Sequence, residues 1–136
     1  MNVPPDVVEV LQNWVRKAEN DLEAARRIMA VEADCPVDAV GFHCQQAVEK
    51  YVKGLLTAFN ILAPRIHDLE VLAALLPAGC NLSVQSEELA KLSLYAVDIR
   101  YDDSQDLQLE DARHAFAIAE KVRAEIRGLL PTASLE

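Results

Sequence analysis

The spacing of apolar residues restricts this chain more than any other feature. Val7, Leu11, Trp14, Ala18, Leu22, Ala25 and Met29 recur at steps of three or four, which puts them on one side of a helix with about 3.6 residues per turn. Pro4-Pro5-Asp6 opens this run, where the first helical turn needs no amide donors. Asp34-Cys35-Pro36 interrupts it, because proline lacks a donor and pushes the preceding residue out of helical geometry, so the first helix is expected to end near Val31. A second helix is expected from about Pro36 to Asn60, about 36 Å long. Its core side is Cys44, Ala47, Val48, Tyr51, Leu55, Ala58 and Phe59. The opposite stripe, Phe42, Gln46, Glu49 and Lys53 with His43 and Lys50 on its flanks, reads as a solvated face or a partner surface.

The same pattern continues along the chain. Ile61 to His67, with Pro64, is a short connection, and a third, short helix from Asp68 to Leu76 is stopped by Pro77-Ala78-Gly79. Ser86 is read as the N-cap of a fourth helix that aligns Leu89, Leu92, Ala96 and Ile99 and ends around Arg100-Tyr101. The acidic loop Asp102-Asp103-Ser104-Gln105-Asp106 follows. The last helix runs from about Leu109 to Leu130, with Leu109, Ala112, Phe116, Ala119, Val122 and Ile126 on one face, and Pro131 ends it. Four long helices and one short one predict an all-α fold, an antiparallel up-and-down bundle forming a single domain over 1–136 with its core at about 6–130. Composition agrees: only four glycines, and 51% hydrophobic residues of which few are aromatic, favour helices interdigitating through alanine, leucine and valine over a sheet. There is no internal repeat and no linker, and the closing Leu135-Glu136 is given no structural weight.

Charge and cysteine usage exclude several functions. A net charge of −9 argues against sequence-independent binding of long nucleic acid, whose affinity comes from neutralising phosphates with lysine and arginine, and leaves a small nucleotide or a local basic patch. No apolar stretch reaches the roughly 18 residues of a membrane span, and Met1 to Asp6 lacks a basic region before an apolar run, so a cytoplasmic protein is expected. Cys35, Cys44 and Cys80 are odd in number and show no CxxC spacing, which suits reduced thiols. No two of His43, His67, His114 and the cysteines stand three or four residues apart, so no metal site is expected. No GxGxxG, Walker loop or nucleophile elbow occurs.

The run Ala39-Val40-Gly41-Phe42-His43-Cys44-Gln45-Gln46-Ala47-Val48-Glu49-Lys50-Tyr51-Val52-Lys53 resembles the second-helix signature of the HEPN family (higher eukaryotes and prokaryotes nucleotide-binding). Trp14 through Leu22 is similar to the opening helix of that family, Pro64 to Leu69 to the start of its third, Ile99-Arg100-Tyr101 to the end of its fourth, and Glu110-Asp111-Ala112 to the start of its last. The resemblance covers the chain from about Trp14 to Arg127. It implies a helical bundle that forms homodimers and works beside a minimal nucleotidyltransferase in a two-component, toxin–antitoxin-like module, with some branches acting as ribonuclease toxins. It implies a bound nucleotide such as ATP and no other cofactor.

On that resemblance the candidate nucleotide-binding residues are His43, Gln46, Lys50, Lys53, His67, Arg100 and Tyr101, and the candidate partner interface is Phe42, Gln46 and Glu49. Lys50, Lys53 and Arg100 would meet phosphate, Gln46 would give amide hydrogen bonds, and Phe42 would pack at the partner seam. Each also has an ordinary structural role. His43 suits a surface near a helix start, Glu49 and Lys53 form a favourable i,i+4 pair, His67 organises a turn, and Arg100 meets the negative end of a helix dipole. Asp102 stands where the family often has proline, against anion binding at that corner. The ribonuclease branches carry an arginine followed, after four to six residues, by a histidine; no arginine stands in that window before His43, His67 or His114. No catalytic residue is therefore assigned, and transferase chemistry falls to the partner, since this chain has no Asp-x-Asp pair for magnesium. The rival readings are an RNA-cleaving toxin that joins Arg100 to His43 or His67 through the fold, and a scaffold without a ligand.

Overall fold

A computed structural model describes residues 1–31, 33–96 and 107–136. Among them it shows five α-helices, α1 (Pro5–Met29), α2 (Val37–Ala58), α3 (Leu69–Ala74), α4 (Ser86–Ser93) and α5 (Leu109–Leu129), followed by a 3-10 turn at Thr132–Leu135 and no strand. Ile99, Arg100, Tyr101 and the acidic loop at 102–106 lie outside the described residues. No helix is long and apolar enough to cross a membrane among those described.

α1 presents Leu11, Val15, Ala18, Leu22 and Ala25 to the interior, and α5 presents Ala112, Ala115, Ile118, Ala119, Val122 and Ile126. Between them lies α2, with α3 and α4 packed on each other and on its remaining side. Its buried residues accordingly run almost around its circumference, from Val40, Cys44 and Val48 to Val52, Leu55 and Leu56. Burial at this extent is the main stabilising term of the fold, at about 25 cal/mol per Å² of apolar surface removed from water. Trp14 meets Gly54 and Asp21 meets Lys50, so contacts descend α2 as they climb α1 and the two helices are antiparallel. At Gly54 the backbones approach closely: a Cβ there would stand 3.1 Å from Trp14 Cβ.

Local chemistry sets the helix ends. At the C-terminus of α2, Asn60 takes a left-handed φ of 60°, its N–H donates to Thr57 O at 2.9 Å and the Ile61 N–H donates to Leu56 O at 2.9 Å, a Schellman closure that satisfies the last carbonyls. α3 is capped by Asp68, whose carboxylate accepts from the backbone N–H groups of Glu70 and Val71. α4 departs from expectation at both ends. Gln85, not Ser86, is its N-cap residue, and the helix stops at Ser93 where the periodicity predicted a long helix reaching Arg100. After Ser93 the bonds tighten to the i→i+3 kind, Leu94 to Lys91, Tyr95 to Leu92 and Ala96 to Ser93. The buried Tyr95 ring then sits over Gly41, where a Cβ would meet it at 3.1 Å. The C-terminal residues also carry structure that the sequence did not suggest: Ser134 is buried, Leu135 packs on the core, and Gln12 Nε2 donates to Ala133 O at 3.0 Å.

Candidate functional site

Two carboxylates organise the polar side of α2. Asp21, on α1, receives His43 Nδ1 at 2.8 Å on one oxygen and Lys50 Nζ on the other. His43 and Lys50 are seven residues apart, about two full turns, so one acidic residue on α1 spans both. Glu49 organises the second cluster. It receives His67 Nδ1 at 2.7 Å, Lys53 Nζ at 3.2 Å and Gln45 Nε2 at 3.2 Å. Gln45 also donates to the His67 backbone carbonyl at 3.0 Å and accepts from Gln46 Nε2 at 2.7 Å.

This arrangement corrects the expected outward stripe at two positions. Glu49 and Lys53 are buried, at 5% and 9% exposure, while Phe42, His43, Gln46 and Lys50 are only half-buried. The connection after α2 folds back so that His67 lands on Glu49, and the ion pair between Glu49 and Lys53 lets both charges leave water together. The lysines are thus engaged: Lys50 by Asp21 and Lys53 by Glu49. Arg100 and Tyr101 lie outside the described residues.

The imidazoles are the groups left facing outward. A carboxylate only accepts, so each Nδ1 carries the hydrogen it gives to Asp21 or Glu49. Each Nε2 then points away, with no partner among the described residues; the His67 side chain is 61% exposed and that of His43 31%. Phe42 meets the His43 ring edge-on, centroids 5.5 Å apart. Cys44, next to His43 in sequence, faces the core, where burial and then the negative charges of Asp21 and Glu120 push its thiol up to about 12. It is an inert neutral thiol, and among the described residues no three acidic, histidine or cysteine side chains gather to hold a metal.

A third cluster joins α1 to α5. Glu19 accepts from Arg123 Nε at 2.9 and 3.0 Å and from Arg127 Nη1 at 2.8 Å. The buried Tyr51 hydroxyl beside it has no hydrogen-bond partner among the described residues, and burial followed by the charge of Glu19 raises its pKa.

Sequence reasoning assembled His43, Gln46, Lys50, Lys53 and His67 as candidates but omitted Asp21, which holds the His43 imidazole, and Gln45, which ties Glu49 to the His67 backbone. Both stand inside the stretches that carried the resemblance, Trp14–Leu22 and Ala39–Lys53, and nothing in their spacing separates an organising residue from a solvated one.

The HEPN domain family model matches residues 11–129. The chain belongs to the HEPN family. Two solved structures share the HEPN fold described above. The crystal structure of TT1696 from Thermus thermophilus is 25% identical, with a TM-score of 0.72, and the match covers 88% of this chain and 98% of that one. The crystal structure of ST0689, an archaeal HEPN homologue, is also 25% identical, with a TM-score of 0.66 over 88% of this chain and 96% of that one. No curated protein matches the chain.

Proposed function

We propose that this HEPN domain is a nucleotide-binding module that acts as a homodimer alongside a minimal nucleotidyltransferase in a two-component, toxin–antitoxin-like system. The observation that carries this reading is the pair of imidazoles, His43 and His67, each pinned through Nδ1 by a carboxylate and each presenting Nε2 to solvent. Such rings are held in one orientation at little entropic cost, and on taking up a proton they donate to a phosphate oxygen. Lys50 and Lys53 keep the two carboxylates neutralised, so protonated imidazoles would leave each cluster with a net positive charge towards the ligand. Gln46 adds an amide at the same edge of α2, and Phe42 and Gln46 form the half-buried border on which a partner would seat. The metal-dependent transfer step belongs to the partner.

Calorimetric titration of ATP into the protein, alone and with a nucleotidyltransferase encoded beside it, tests this. Saturable binding that weakens on His43→Ala or His67→Ala is expected. Silence in both settings, with a stable complex still formed, would leave only a scaffold.

One observation favours a second reading. A carboxylate-oriented imidazole such as Glu49–His67 is also the arrangement of a general base, as an RNA-cleaving toxin would need. RNA cleavage by the purified protein, abolished by His67→Ala with the helical spectrum unchanged, would replace the binding-module reading with this one.

A further inference from the structure

Gln45 fixes the direction of the hydrogen bonds around it. Its side chain is fully buried, and Nε2 spends both hydrogens inward, towards Glu49 Oε1 at 3.2 Å and the His67 carbonyl at 3.0 Å. A backbone carbonyl has no hydrogen to give, and the Glu49 carboxylate facing Lys53 has none either, so the Gln45 amide cannot be turned over. Its Oε1 therefore faces Gln46 and, at 2.7 Å, must receive a hydrogen from Gln46 Nε2. The polarity of the buried pair is passed outward one residue. Gln46 has its amino group turned inward, and its Oε1 has no partner among the described residues at the half-buried edge of α2.

An ordinary surface glutamine reads nothing by itself, because it rotates its amide to suit a donor or an acceptor. Gln46 lacks that freedom: turning its amide over would set its Oε1 against the Oε1 of Gln45, acceptor against acceptor. The outward side of Gln46 thus has a fixed order: the second hydrogen of its Nε2 takes an acceptor, and its Oε1 demands a donor from whatever binds. On a purine the exocyclic 6-amino group supplies it, in the pairing glutamine makes with adenine, whereas a 6-oxo group offers a second acceptor. At the same edge the ring nitrogen N1 is an acceptor in a 6-amino purine and a donor in a 6-oxo purine, so the two bases present opposite orders, and a Gln46 amide that cannot turn over matches only the first.

The geometry points to Gln46 as the base-reading residue of the site, selecting 6-amino over 6-oxo purine nucleotides, with Gln45 as the positioning residue that enforces the choice. This rests on the nucleotide-binding reading and names the ligand class within it. The test compares ATP with ITP, which differ at the 6-position, by calorimetry on the full chain with its transferase partner where binding needs it. Wild-type protein is expected to favour ATP by roughly tenfold. Gln46→Ala should remove the preference. Gln45→Met, which frees the Gln46 amide to rotate, should also remove it, mainly by improving ITP binding, a change that general loosening of the fold does not produce. Should Gln45→Met fail to fold, the Gln46→Ala comparison still decides the base-reading role. Equal affinity of wild-type protein for ATP and ITP overturns this inference and leaves nucleotide binding intact. No binding of either nucleotide, with or without the partner, overturns both.

Discussion

Among the described residues, Glu49 gathers three different side chains onto one carboxylate. One buried carboxylate holds an imidazole, an ammonium and an amide, and Lys53 on the next turn has no other partner among the described residues. Replacing Glu49 by alanine leaves that ammonium buried and unpaired, so Glu49→Ala is expected to cost about 3 kcal/mol in urea unfolding. Asp21→Ala exposes a weaker dependence, because Lys50 is nearer to water and can rehydrate. Whether Glu49 and Lys53 were covered could not be read from the sequence: an i,i+4 acid–base pair has the same spacing on a wet face as under a loop. What decides it is the return of the chain at His67, eighteen residues away in sequence from Glu49.

Helix α2 shows how element ends and crossings carry stability that periodicity does not describe. Asn60 holds the left-handed position of the Schellman closure, so Asn60→Val, a β-branched residue forced to positive φ, is expected to lower stability by about 1–2 kcal/mol. Gly54→Ala and Gly128→Ala form a matched pair. Both gain helix propensity, but the new methyl at Gly54 would press on Trp14 Cβ, an atom fixed to the α1 backbone, whereas nothing lies within 4 Å at Gly128. Thermal unfolding should show Gly54→Ala destabilised by about 1 kcal/mol and Gly128→Ala stabilised by about 0.5 kcal/mol. The long helices were legible because an apolar face repeated through α1, α2 and α5 without interruption. The end of α4 was not. Leu92, Ala96 and Ile99 continue the period past Ser93, and the turn that ends the helix goes with the docking of Tyr95 over Gly41, a contact between residues far apart in the chain.

Taken whole, the protein should lose stability in alkali as its buried thiol and phenol groups are forced to ionise. Cys44 and Tyr51 are both raised above their ordinary values, chiefly by burial, and Tyr95 and Cys80 follow the same direction for the same reason. The unfolded thiol ionises at its ordinary 9.0 while the folded Cys44 holds its proton to about 12. The stability linked to it is therefore complete below pH 9 and falls as pH climbs towards 12. Urea midpoints measured across that range should decline, and Cys44→Ala should flatten the part due to the thiol. Native protein should also leave Cys44 unmodified by a thiol reagent under conditions in which the half-buried Cys35 reacts.

Because α2 is wrapped by α1 on one side and by α5 on another, besides α3 and α4, the two larger covers of its apolar surface are made at different times. On the ribosome, α1 and α2 emerge early, but the second cover is not complete until Leu129 has been synthesised, on the order of several seconds later. For that interval the nascent chain carries Cys44, Tyr51 and their neighbours as an open apolar strip, the kind of surface that chaperones hold.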